Sequence, residues 1–261
     1  MTRLSSILLA FTLAATYASA AVLHFGLGTG LGRRAPAEVI THCTVPGTVA
    51  LTFDDGPYTW MTEISDAMTN AGANGTFFFN GNNWGCIYDE AMAARVKYAY
   101  DHNHQVASHT WQHLHLNTLN EHQLHVQMWL VEEAIYKITG AYIAFTRPPF
   151  GEYNDLVLEV AGMRGQIVAN WDFDSGDTGG LTGQQSLNQY RTLIASQPES
   201  ILTLNHEINP DTVQILPQVI ADLQAAGYRL TTLADCLGVE PYQFVSEPSE
   251  RDSSWTCEGR A

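Results

Sequence analysis

Asp54 and Asp55 stand side by side in Thr52-Phe53-Asp54-Asp55-Gly56-Pro57, directly after the run Thr48-Val49-Ala50-Leu51. Two adjacent carboxylates at the end of a buried strand repel one another unless something separates their roles. A bound cation does so, taking one carboxylate as ligand and leaving the other as a base. Partners for such a cation stand in Ser108-His109-Thr110-Trp111-Gln112-His113, where a helical turn would put His109 and His113 on one face. Two histidines and one carboxylate make a ligand set that leaves coordination positions open. The chain has 10 histidines, including His102, His104 and His115 close by, so the pair alone is weak. Joined to the Asp-Asp turn, it marks a metal site. Zn²⁺ suits these donors best, with Co²⁺ the alternative. A divalent cation there would lower the pKa of bound water to about 7 and polarise a carbonyl.

Hydrolysis also needs an acid for the leaving group. His206, in Leu202-Thr203-Leu204-Asn205-His206-Glu207, ends an apolar strand and suits that role; the competing reading is a rim histidine with satisfied bonds. In Arg147-Pro148-Pro149-Phe150-Gly151, two prolines hold the backbone extended behind the arginine. Arg147 can then make a charge-assisted bond to a catalytic carboxylate, and the Phe150 N–H is available to bind an oxyanion. A surface arginine on a polyproline turn is the plainer alternative.

These residues need a scaffold that gathers distant segments. Short apolar runs over 49–53, 76–79, 105–108, 143–146, 167–170, 201–204 and 229–232 alternate with helical spacing. Ile64, Ala67 and Met68 form one helical stripe, and helices are expected over 121–139, ended by Gly140, and 213–226, ended by Gly227. Such alternation implies an α/β fold with about seven parallel strands in a closed or nearly closed (β/α) barrel. Asp54 and Asp55, Asn80, His109, Arg147, the run from Asp172 to Asp177, and His206 all fall at carboxyl ends of strands. Parallel α/β folds build their active sites there.

The first 20 residues read as a signal peptide, with Arg3, an apolar stretch and Ala18-Ser19-Ala20 as the cleavage site. Residues 21–42 read as a leader, with a possible propeptide site after Arg33-Arg34. Residues 43–240 form the main domain and 241–261 a polar tail anchored by Trp255 and Cys257. No later segment is apolar over the length that a membrane crossing requires, so a secreted chain without a membrane anchor is expected. The net charge of −15 argues against nucleic acid as a partner. Four cysteines in an exported chain favour disulfides, with three connectivities open. Cys43 with Cys236 would tie the first strand to the last, leaving Cys86 with Cys257. Asn74-Gly75-Thr76 is the single N-glycosylation sequon, bordering a strand.

Taken in order, Thr-Phe-Asp-Asp-Gly-Pro, Ser-His-x3-His, Arg-Pro-Pro-Phe-Gly, Asp-Ser-x-Asp and Leu-x-His resemble the five motifs of the carbohydrate esterase family 4 polysaccharide deacetylases, the NodB homology domain. The resemblance runs from about Val45 to Leu237. It implies a deformed (β/α) barrel and a divalent metal, usually zinc, serving removal of N- or O-acetyl groups from polysaccharides. By position, it makes Asp54 the base and Asp55 the metal ligand beside His109 and His113. Arg147 would orient Asp54, and His206 would be the acid, tuned by Asp177, or failing that by Asp174. Two departures stand out: the family usually has tyrosine at Phe150, and tryptophan at Thr178. The second implies a less apolar site wall.

Within the family, the export signal and single-domain layout most resemble fungal chitin deacetylases, which implies chitin or chitooligosaccharides as partner and a monomeric enzyme. Tyr58, Trp60, Trp84 and Trp111 are candidate stacking faces for sugar rings, against core packing. Peptidoglycan and acetylxylan are the alternative substrates. A non-catalytic secreted glycan-binding protein is the alternative of another class.

Overall fold

A computed structural model describes residues 34–260, so the expected signal peptide and all of the leader before Arg34 lie outside the described residues. Among the described residues twelve strands are formed: β1 (Val39–Ile40), β2 (Thr48–Ala50), β3 (Thr52–Gly56), β4 (Thr76–Phe79), β5 (Gln105–Ser108), β6 (Ala141–Ile143), β7 (Phe145–Thr146), β8 (Ile167–Ala169), β9 (Phe173–Asp174), β10 (Ile201–His206), β11 (Arg229–Thr231) and β12 (Tyr242–Val245). Seven α-helices lie among them in the described residues: α1 (Met61–Asn70), α2 (Glu90–Asp101), α3 (Glu121–Thr139), α4 (Asp155–Met163), α5 (Gly183–Ala195), α6 (Pro210–Ala225) and α7 (Leu233–Leu237). Local chemistry sets several of their ends. Asn120 and Gln123 form a capping box at the start of α3, and Gly140 closes it in the left-handed region at φ 79°. Helix α6 begins at Pro210, earlier than the apolar stripe implies, because Asn209 caps it ahead of the first-turn proline.

The main sheet is parallel, in the order β1-β8-β7-β5-β4-β3-β10-β2-β11, with β9 also paired to β10. The run 167–174 bonds to β7 through β8 and to β10 through β9, so the ring is completed by one strand run interrupted at residues 170–172. This is the deformed barrel of the α/β class, with its ladder broken where that run bends.

Strand alternation fixes what points where. Val49, Leu51 and Phe53 pack outward with Phe77, Phe79, Ile64 and Met68 in the layer beneath the helices. Ala50, Phe78, Ala107, Phe145, Ala169 and Leu202 share a second cluster, inside the ring. Counting on by twos from that cluster leads to Thr52 and Asp54, Asn80, His109, Arg147, and Leu204 and His206. The small and aromatic residues that fill the barrel thus determine which polar residues face its open end.

Residues on both sides of the expected 43–240 domain join its sheets. β1, in the expected leader, pairs with β8, and β12, in the expected tail, pairs antiparallel with β6. Both are short strands without a periodic apolar pattern. Disulfides join Cys43 to Cys236 (S–S 2.14 Å) and Cys86 to Cys257 (S–S 1.98 Å).

Candidate active site

Arg147 is fully buried and braces the centre of the site. Its Nε donates to the Ala169 carbonyl (3.1 Å), one terminal nitrogen to Thr52 Oγ1 (2.6 Å) and Asp54 Oδ1 (2.9 Å), and the other to the Asn170 carbonyl (2.9 Å). Its guanidinium also lies 4.2 Å from the centre of the Phe78 ring. A buried guanidinium is tolerable only with such full pairing. The surface-arginine alternative is therefore excluded.

Asp55, His109 and His113 bring one ligand atom each to within 4.8 Å of one another. The two histidines do not meet on a helical turn. Thr110 (φ 68°) and His113 (φ 55°) bend the loop after β5 instead, so the expected one-turn geometry is wrong although the pair does converge. Asp55 (φ 73°) and Phe150 (φ 60°) also take left-handed backbone, making four of the six non-glycine positive-φ residues among the described ones. Strain of that kind, on the order of 1–3 kcal/mol each, gathers where a loop must aim a side chain.

His109 Nδ1 donates to the Arg147 carbonyl at 2.8 Å, which leaves the Nε2 lone pair facing the carboxylates. That Nε2 lies 3.6 Å from Asp55 Oδ1, and His113 Nε2 lies 3.3 Å from the same oxygen. Burial pushes both imidazoles below their usual range and Asp55 above its own. Asp55 Oδ1 is buried with no hydrogen-bond partner. Two neutral imidazoles and an unsatisfied carboxylate oxygen fit a divalent cation, which would satisfy all three at once.

Across the site, His206 Nδ1 is held by Asp177 Oδ1 at 2.8 Å, leaving Nε2 for the cavity. The other Asp177 oxygen accepts from the His206 amide (2.7 Å) and Thr212 Oγ1 (2.6 Å). Asp174 is exposed and accepts instead from the Gly176 amide, so it is not the residue beside His206. Burial opposes the imidazolium, yet the Asp177 bond outweighs it and raises His206 to about 9. A folded-state pKa above the unfolded value stabilises fully below about 6.5 and loses that contribution as pH rises through about 9. Thermal unfolding of the chelated protein should therefore show stability falling across this window. Asp177→Asn should flatten the slope; an unchanged slope would separate the pair from it.

Asp54, Asp55, His109, His113, Pro148, Phe150, Gly151, Trp171, Thr178, Leu204 and His206 line one cavity of about 420 Å³. Trp171 supplies an indole to its wall, correcting the expectation that Thr178 leaves the wall less apolar. Trp171 stands two beyond Ala169, so it continues the inward alternation even though it lies in the gap between β8 and β9. Phe150 is half exposed, its ring stacked on His115 (4.1 Å between centres) and edge-on to His113 (4.7 Å). Tyr58 and Trp84 pack edge to face at 5.8 Å outside the residues that line the cavity, with Trp84 exposed. Trp111 is fully buried against Gly81 and offers no face to a sugar. Asn80, whose role the sequence did not reveal, donates to the His109 and Thr110 carbonyls and fixes the histidine loop. Asn74 is half-buried, its amide bonded to the His102 carbonyl at 3.3 Å.

The polysaccharide deacetylase family profile matches residues 41–166. A chitin deacetylase of Pestalotiopsis sp is 36% identical over 207 residues, covering 77% of this chain and 67% of that protein. The chain belongs to the polysaccharide deacetylases. Another relative in this family, a chitin deacetylase of Colletotrichum lindemuthianum, is 32% identical over 210 residues, covering 77% of this chain and 84% of its own length. The solved structure of the chitin deacetylase from that fungal pathogen superposes with a TM-score of 0.76 at 29% identity, covering 81% of this chain and 96% of the other. Polysaccharide deacetylases of this family are metal-dependent, in keeping with the Asp-His-His cluster.

Proposed function

We propose that this polysaccharide deacetylase removes N-acetyl groups from N-acetylglucosamine units of chitin or chitooligosaccharides, giving chitosan and acetate. The observation that carries the reading is the convergence of an arginine-paired aspartate, an Asp-His-His cluster and an aspartate-bound histidine in one cavity. The two chitin deacetylase relatives support the choice of substrate.

Asp55, His109 and His113 would hold the cation, Zn²⁺ by the chemistry of the donors, with Co²⁺ as substitute. When bound, such a cation supplies an acidified water and polarises the acyl carbonyl. Asp54, paired with Arg147, takes the proton as the water oxygen bonds to the acetyl carbon. The Phe150 amide faces the oxygen on which negative charge develops, a role that tolerates phenylalanine in place of tyrosine. His206, oriented by Asp177, gives its proton to the nitrogen as the C–N bond breaks, and acetate and a free amine leave. Tyr58 and Trp84 extend the sugar-binding surface beyond the cavity. The chain would act as an exported monomer, its signal ending at Ala20. Two disulfides support export, and among the described residues no helix is long and apolar enough to cross a membrane.

The test is acetate release from chitooligosaccharides, peptidoglycan and acetylxylan, with and without chelator. Chelation should abolish release from chitooligosaccharides and lower the melting temperature; added Zn²⁺ or Co²⁺ should restore both. Activity that survives chelation would sink the metal reading, and faster release from peptidoglycan or acetylxylan the substrate.

A further inference from the structure

Glu207 is fully buried one residue beyond His206, and no step of the proposed reaction uses it. Its Oε1 accepts from the Tyr58 amide at 2.6 Å, and its own amide donates to the Asp54 carbonyl at 3.2 Å. Gly56 lies so close to its carboxyl group that a Cβ there would collide with it. One residue just past the end of β10 therefore grips the Asp54–Tyr58 turn on both sides of Asp55. Oε2 has no hydrogen-bond partner, and no cationic side chain forms an ion pair with Glu207 among the described residues. Burying a carboxyl group in this way costs stability that an aliphatic side chain filling the same space would not.

We infer that Glu207 is a positioning residue for the aspartate pair, setting through the Tyr58 amide and the Gly56 backbone the turn that aims Asp55 at its ligand position. The inference rests on the proposed metal-dependent reaction and adds to it a residue that touches neither substrate nor cation. A carboxylate ligand displaced by a fraction of an ångström binds more weakly, because outer-shell support typically contributes 10–100-fold to metal affinity or activity.

The experiment measures divalent-ion affinity by competition against a chromophoric chelator, together with kcat and KM on a chitooligosaccharide. Glu207→Leu should weaken Zn²⁺ binding roughly tenfold and lower kcat by a similar factor, with KM nearly unchanged. Glu207→Gln keeps the acceptor for the Tyr58 amide and should return both values to within about threefold of wild type. A Glu207→Leu protein that loses only thermal stability, with wild-type metal affinity and kcat, would overturn the inference. So would a Glu207→Gln protein as impaired as Glu207→Leu. Should Glu207→Leu fail to fold, Glu207→Asp, one methylene too short to reach Tyr58, takes its place; wild-type metal affinity there is equally fatal. A wild-type protein that binds no divalent ion would instead overturn the proposed function, and the inference with it.

Discussion

Asp54→Asn is expected to lower kcat for acetate release by roughly 10²–10⁴-fold while leaving metal affinity near the wild-type value. The two aspartates are separated by what each touches. Asp54 Oδ1 is tied to Arg147 at 2.9 Å, while Oδ2 lies 3.7 Å from His109 Nε2. Asp55 Oδ1 is the oxygen that faces both histidines. Asparagine matches aspartate in shape, and its carbonyl can still accept from the arginine. It cannot take a proton from water at any useful pH. The loss should therefore fall on kcat, and Zn²⁺ titration of the same protein should show the site intact. Asp55→Asn should do the reverse, weakening the metal first. Full activity in Asp54→Asn would end the assignment of Asp54 as the base.

Much of this site was legible because strand ends are legible. β4 and β5 match the apolar runs at 76–79 and 105–108, and every polar residue at a strand's carboxyl end inherits its direction from the alternation behind it. Asp54 faces the cavity because Ala50 fills the barrel, and Arg147 because Phe145 does. What the sequence concealed depends on backbone that leaves regular geometry. His113 reaches the cluster through a loop with positive φ at Thr110 and at His113 itself, where helical spacing would have been the simpler guess. Trp171 continues the alternation from Ala169 into the gap between β8 and β9, where the strand has already ended, so the apolar run alone does not identify it as cavity wall. Glu207 sits at a position where the alternation points outward, away from the barrel. Only its contact with the turn after β3 gives it meaning, and no spacing reports a contact across 149 residues.

Arg147→Met is expected to cost about 3–5 kcal/mol of folding stability, larger than any other single substitution considered for this site. A surface ion pair contributes at most about 1 kcal/mol, so burial decides the size of the effect. Asp54 is 2% exposed and Arg147 not at all; methionine fills much of the volume but leaves the buried carboxylate without its cationic partner. The carbonyls of Ala169 and Asn170 and the Thr52 hydroxyl lose their donor as well. For a domain of this size the melting temperature should fall by roughly 6–20 °C, measured with chelator present so that metal binding does not contribute. Adding Asp54→Leu removes the stranded charge and should recover part of the loss, although activity stays absent. The orphaned carbonyls set the remainder. Arg147→Lys tests the geometry apart from the charge. One ammonium keeps a positive charge beside Asp54 but cannot reach four acceptors that a planar fork spans, so its stability should fall between wild type and Arg147→Met. A lysine variant as stable as wild type would mean that charge alone holds Asp54, and a methionine variant losing under about 1 kcal/mol would remove the brace from the centre of the site.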